Sequence, residues 1–133
     1  MVPKQVLVFV IDDDASVRRG FQLLLQSEGF DVQTFSSAEE FLEGVSPSDS
    51  AVIILDMRMP GITGLDLLKK LEPRKTRFKI IAISALDDPP TQEVARELGA
   101  LAFFRKPVDG QALIDSIHWA IKGIQNMSGA SDL

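Results

Sequence analysis

Five short apolar runs, rich in β-branched residues, alternate along the chain with segments whose apolar residues recur every three or four positions. The runs are Val6–Ile11, Val32–Phe35, Val52–Leu55, Lys79–Ile83 and Ala102–Phe104. The strongest of them are almost unbroken in apolar character, which suits strands covered on both faces of a parallel sheet. The first helical segment carries Val17, Phe21, Leu24 and Leu25 and closes at Gly29, a C-terminal capping residue. Ser37, followed by Glu39 and Glu40, opens a second that runs through Phe41 and Leu42. Leu65, Leu68 and Leu71 mark a third. The fourth starts at Pro90, carries Val94, Ala95 and Leu98, and closes at Gly99. Leu113, Ile117, Ala120, Ile121 and Ile124 mark the fifth. The order βαβαβαβαβα predicts an α/β fold, a five-stranded parallel sheet with helices on both faces through right-handed crossovers.

A chain of 133 residues fits one domain with a sizeable core. Residues 1–125 are expected to form it, and the small polar stretch 126–133 reads as a flexible tail or the start of a linker. The absence of cysteine excludes disulfides and thiolate metal sites. A net charge of −5 makes the domain a poor binder of nucleic acid or anionic membrane by itself. No apolar run approaches the ~20 residues needed to span a bilayer. The N-terminal apolar stretch runs into three acids with no small-residue cleavage site, so no signal peptide is read and the expected setting is the cytoplasm.

In an open parallel sheet, ligands bind beyond the carboxyl ends of the strands. Asp12, Asp13 and Asp14 follow the first strand, and Asp56 follows the third. The fourth ends in Ser84, and Lys106 and Pro107 follow the fifth. Carboxylates, a hydroxyl and an ammonium are thus expected at one sheet edge. Crowded carboxylates repel and are costly to desolvate unless a hard cation sits among them. Mg²⁺ suits such a set, taking one or two carboxylates, waters and phosphate oxygens. Asp13 and Asp56 are expected to bind it directly, Arg58 through its backbone carbonyl, and Asp12 through water. Asp14 is expected to cap the first helix. A carboxylate is also a nucleophile toward phosphorus. Lys106, the Ser84 hydroxyl and the Ala85 backbone N–H are the expected partners of a phosphoryl group there, since such transfer is catalysed by positioning and charge neutralisation. Loop 57–64 (MRMPGITG) is a turn segment that shapes the open face.

Four motifs, each after its own strand, carry a family resemblance: VIDDD, LDMRMPGITGLDLL, ISA and FFRKP. Over about residues 5–122 the chain resembles the receiver domain of bacterial two-component response regulators. The LDMRMPG form is especially similar to regulators with a LuxR-type helix-turn-helix output domain. The resemblance implies a flavodoxin-like, doubly wound sheet of order 2-1-3-4-5. It implies that Asp56 is the phosphoacceptor, Asp12 and Asp13 the acidic Mg²⁺ pocket, Ser84 the switch hydroxyl and Lys106 the phosphate-contacting lysine. It also implies a cis bond from Lys106 to Pro107 and a switch aromatic at Phe103. Many members carry tyrosine at that position, so no phenol hydroxyl takes part here. Movement of Ser84 and Phe103 is expected to remodel the face of the fourth helix, fifth strand and fifth helix.

The implied partner is a sensor histidine kinase or phosphotransfer protein, with homodimerisation on phosphorylation as one allowed outcome. Contact with DNA is expected only through an output domain absent from this chain, and none with membrane. The implied role is a signalling phosphoacceptor with slow self-dephosphorylation, not a classical enzyme. Arg58 and Leu86 are expected to tune the lifetime of the phosphoryl group. A phosphatase of the haloacid-dehalogenase type is the competing enzyme reading, but those proteins space two acids two residues apart after the first strand. A degenerate receiver acting by contact alone is the other alternative. Among the remaining residues, Arg18 and Arg19 read as a solvated face, His118 as a surface residue and Trp119 as partly buried helix packing.

Overall fold

The computed structural model describes residues 7–46, 50–71, 77–85 and 89–130. Val6, Leu86 and residues 131–133 lie outside the described residues, as do the side chains of residues 124–130. The elements alternate as β1 (Leu7–Ile11), α1 (Ala15–Ser27), β2 (Asp31–Phe35), α2 (Ala38–Gly44), β3 (Ala51–Asp56), α3 (Gly64–Leu71), β4 (Phe78–Ser84), α4 (Pro89–Glu97), β5 (Ala100–Arg105) and α5 (Gly110–Ala130). The five strands form one parallel sheet in the order β2-β1-β3-β4-β5. Helix α5 continues through Ala130, past the domain boundary expected at residue 125.

The central strands are apolar at every position because side chains alternate between two covered faces. Phe9, Ile11, Ile53, Leu55 and Phe78 point to one face, where Phe41 of α2, Leu67, Leu68 and Leu71 of α3 and Ala95 of α4 cover them. Three phenylalanines interlock there edge to face, with Phe41 5.5 Å from Phe9 and 5.3 Å from Phe35. Val8, Val10, Val52, Ile54, Ile81 and Ile83 point to the other face, under Leu25 of α1 and Leu113, Ile114, Ile117 and Ala120 of α5. Strand β5 lies at the sheet edge and all its residues are only partly buried or exposed, so its apolar run is the weakest in the sequence.

Trp119 departs from expectation. It is 65% exposed, because the inward stripe of α5 is made by Leu113, Ile114, Ile117 and Ala120, and Trp119 falls on the opposite side at 3.6 residues per turn. His118 is exposed, as expected, and its ring lies 5.4 Å from that of Phe30. Among the described residues no helix is long and apolar enough to cross a membrane.

Helix starts follow their caps. Asp14 accepts from the N–H groups of Ser16 (2.9 Å) and Val17 (3.1 Å), fulfilling its expected role. Ser37 Oγ accepts from Glu40 N–H at 3.0 Å. The loop before α3 ends in a capping box: Thr63 Oγ1 accepts from Asp66 N–H at 3.2 Å, and Asp66 Oδ2 accepts from Thr63 N–H at 3.3 Å. Replacing Asp14 with Ala leaves two helix N–H groups without their acceptor. The expected cost is about 1 kcal/mol, read as a lower urea midpoint at unchanged slope; an unmoved midpoint would show that water serves those groups equally well.

Candidate functional site

The chain leaves β1 toward β2 on one side, then returns across β1 to β3 on the other. The loops at the carboxyl ends of β1 and β3 therefore diverge and leave a crevice between them. Ile11 pairs with Leu55 in register, so the next residues, Asp12 and Asp56, stand side by side at its floor. Asp12 is fully buried and Asp56 is 3% exposed, whereas Asp13 faces solvent. One carboxylate oxygen from each of Asp12, Asp13 and Asp56 lies within 4.8 Å of the others.

Each buried acid is held by backbone. The N–H of Asp12 donates to the Phe35 carbonyl at 3.1 Å, and Asp12 Oδ1 accepts from the Asp14 N–H at 2.9 Å. Asp56 Oδ1 accepts from the N–H of Arg58 at 3.0 Å. Lys106 reaches across from the end of β5, its Nζ 2.9 Å from Asp12 Oδ2 and 3.6 Å from Asp56 Oδ2. The contact with Asp12 is an ion pair without hydrogen-bond alignment, so Asp12 Oδ2 is a buried carboxylate oxygen with no hydrogen bond. The turn carrying Lys106 is tied to β4, since Lys106 N–H donates to the Ser84 carbonyl at 2.8 Å. Ser84 is 1% exposed at the end of β4, and Ala85 beside it faces solvent. The Lys106–Pro107 peptide is cis. Phe103 is partly buried against the α2–α3–α4 face of the sheet. It borders a cavity of about 110 Å³ shared with Gln92, Arg96 and Ala100.

The electrostatics follow from this crowding. Burial pushes the Asp56 carboxyl up to about 6; the Arg58 N–H opposes that rise, the neighbouring Asp12 adds to it, and Lys106 offsets part of it. Burial works against the Lys106 ammonium, but Asp12 and then Asp56 outweigh it and hold its pKa above the usual lysine value. Among the described residues, Lys106 pairs with two of the three clustered carboxylates, Asp12 and Asp56. The donor set, three hard carboxylate oxygens within 4.8 Å of one another, fits Mg²⁺.

The response regulator receiver domain model matches residues 8–118. This chain belongs to the response regulator receiver family. Among curated relatives, the receiver is 40% identical over 116 residues to the transcriptional regulatory protein FixJ of Azorhizobium caulinodans, covering 87% of this chain and 55% of that protein. It is 39% identical over 114 residues to the transcriptional regulatory protein TdiR of Thauera aromatica, covering 86% of this chain and 50% of that one. The chain thus spans about half the length of the curated relatives it matches. Among solved structures, the response regulator StyR superposes with a TM-score of 0.88 at 39% identity, over 97% of this chain and 65% of that one. Full-length FixJ from B. japonicum gives 0.85 at 32% identity, over 95% and 62%. The five strands in the order expected from the resemblance and the helices on both faces are those of this fold.

Every described site residue singled out from the receiver's sequence lies at the carboxyl edge of the sheet or on β5. Two participants escaped sequence reading. Arg18 read as solvated, yet its Nη1 donates to the Asp12 carbonyl at 2.7 Å; only its six-residue spacing from Asp12 hinted at a helix side chain reaching back to the preceding turn. Gly64 read as one of several turn residues. A Cβ there would stand 2.5 Å from Met57 Cα and 2.6 Å from the Asp56 carbonyl oxygen, a close approach that only the folded loop reveals.

Proposed function

We propose that the receiver accepts a phosphoryl group on Asp56. The observation that carries this reading is the meeting of Asp12, Asp13, Asp56 and Lys106 in one crevice, with Lys106 Nζ 2.9 Å from Asp12 and 3.6 Å from Asp56. An Asp56 carboxylate oxygen attacks phosphorus as the bond from phosphorus to the donor breaks, giving an acyl phosphate. Asp12, Asp13, Asp56 and the Arg58 carbonyl are the proposed holders of Mg²⁺, which when bound supplies charge neutralisation to the phosphoryl oxygens. Lys106, already beside Asp56, takes a second share of that charge, and the Ser84 hydroxyl and Ala85 N–H donate to the remainder. Arg58 tunes the lifetime of the acyl phosphate; Leu86, given the same role from sequence, lies outside the described residues.

The output of the switch is a shift toward a state in which Ser84 moves to the phosphoryl group and Phe103 turns inward, remodelling the face of α4, β5 and α5. The partial burial of Phe103 against the sheet, which leaves its ring room to bury further, supports that movement. The phosphoryl donor is a sensor histidine kinase or a phosphotransfer protein, in a cytoplasmic setting, and self-dephosphorylation is slow. Homodimerisation belongs among the responses to be measured. The receiver is proposed to span residues 1–125, with the remainder of α5, helical through Ala130, leading into a flexible tail or linker. A net charge of −5 and an acidic crevice repel phosphate backbones, so any contact with DNA comes from residues outside this chain.

The test is capture of beryllofluoride with Mg²⁺, followed by amide NMR. The wild type is expected to shift resonances around residues 56, 84 and 106 and across α4–β5–α5, and Asp56→Ala to shift none. An unresponsive wild type, or an unchanged response in Asp56→Ala, overturns the proposal.

A further inference from the structure

Arg18 lies on α1, about one turn beyond Asp14 at the start of the helix, and its guanidinium folds back toward the turn that precedes the helix. Its Nη1 donates to the Asp12 carbonyl at 2.7 Å in a partly buried setting. Residue 12 is thereby fixed at three points: its N–H on the Phe35 carbonyl, its Oδ1 on the Asp14 N–H and its carbonyl on Arg18. The third point bears most directly on Asp13. A peptide unit is planar, so fixing the Asp12 carbonyl also fixes the direction in which the chain enters Asp13. Asp13 is the one exposed acid of the three whose oxygens converge. No side-chain hydrogen bond to backbone fixes it as Asp12 and Asp56 are fixed among the described contacts.

From this geometry we infer that Arg18 is a positioning residue for the acidic crevice, aiming Asp13 at Asp56 through the Asp12 carbonyl. Its charge has a second neighbour. The Glu40 carboxyl is held below the usual carboxylate range first by the Ser36 hydroxyl and N–H and, more weakly, by Arg18. Arg18 thus reaches from α1 back to the β1–α1 turn and lies near enough to Glu40 of α2 to act on its charge.

The inference rests on the proposed Mg²⁺ role of those acids, and the two are separable because positioning and charge act in opposite directions. A cation near a Mg²⁺ site weakens binding by repulsion, so removing it as a mere charge would tighten Mg²⁺. Removing a partner that orients ligands weakens metal binding, by about tenfold to a hundredfold at outer-shell positions in general. Mg²⁺ affinity should therefore be measured by calorimetry for the wild type, Arg18→Gln, Arg18→Lys and the control Arg19→Gln. Arg19 is an exposed neighbour whose loss removes the same charge. Arg18→Gln is expected to bind about tenfold more weakly. Arg18→Lys keeps the charge and one donor and is expected to bind Mg²⁺ more tightly than Arg18→Gln. Arg19→Gln is expected to bind as tightly as wild type or more so.

In the metal-free protein, amide exchange at Asp14 is expected to speed up in Arg18→Gln and not in Arg19→Gln, since local opening follows the loss of the turn's anchor. Equal or tighter Mg²⁺ binding by Arg18→Gln overturns the inference while leaving the phosphoacceptor reading intact, as does an identical result for Arg18→Gln and Arg19→Gln. Should Arg18→Gln fail to fold, Arg18→Met, which keeps the apolar stem and removes the donor, decides: weaker Mg²⁺ binding with faster exchange at Asp14 supports the inference, and affinity equal to or tighter than wild type overturns it. Absence of Mg²⁺ binding by the wild type overturns both.

Discussion

Asp56→Asn is expected to abolish phosphoryl capture and, without Mg²⁺, to make the protein more stable than the wild type. The Asp56 carboxyl titrates at about 6 in the folded protein, against an ordinary 3.8, chiefly because it is buried. A carboxyl raised in this way binds its proton more tightly folded than unfolded. Stability therefore falls as pH rises from about 4 through about 6, then stays low where the folded state must carry the buried charge. The displacement corresponds to at most about 3 kcal/mol; water on the open side of the crevice reduces it to about 1–2 kcal/mol. Asparagine keeps an oxygen for the Arg58 N–H and removes the charge, so the gain appears at neutral pH and shrinks toward pH 4. Saturating Mg²⁺ reverses the order, since a ligand at a hundred times its dissociation constant stabilises the wild type by about 2.7 kcal/mol. Urea denaturation in chelator and in Mg²⁺, at several pH values, checks both signs. A variant less stable than wild type in chelator at pH 7.5 would show that Lys106 already compensates the Asp56 charge.

Gly64→Ala is expected to cost roughly 3 kcal/mol, at the upper end for adding one methyl group to a packed site. The contacts at 2.5 Å and 2.6 Å are with the backbone of Met57 and Asp56, not with a side chain that can turn away. Relief requires moving the start of α3 from the end of β3, and β3 is fixed by pairing on both sides. The strain therefore falls on the loop after Asp56, including the Arg58 N–H that holds Asp56 Oδ1. Loss of stability in Gly64→Ala should be accompanied by weaker Mg²⁺ binding. A stable variant with wild-type affinity would show that α3 shifts freely. Gly61, with φ 76°, is strained by any side chain for the separate reason that L residues avoid that region.

The strand and helix segments were legible because burial on two faces leaves unbroken apolar runs and burial of one helix side leaves a three-to-four spacing. The caps at Asp14 and Ser37 were legible because side-chain acceptors for helix N–H groups act within three residues. The edge strand β5 read short, from Ala102 to Phe104 instead of Ala100–Arg105, because an edge strand is only partly covered. Trp119 read as packed because a local stripe does not say how wide the covered face is, and among the described residues of α5 the buried stripe is Leu113, Ile114, Ile117 and Ala120, away from Trp119. The sheet order was taken from resemblance, since periodicity carries no information on which strands are neighbours.

By itself, the sequence determined the element order, both kinds of period, and the placing of acids, a hydroxyl and a lysine directly after strands. Tertiary structure alone decided that two contiguous acids part company, Asp12 fully buried against Lys106 and Asp13 in solvent, and that Arg18 turns back onto Asp12. The reason is physical. Propensity, capping and periodicity act over a few residues, whereas burial and charge pairing depend on which strand ends lie side by side, and only the assembled sheet brings residues 12, 56 and 106 together.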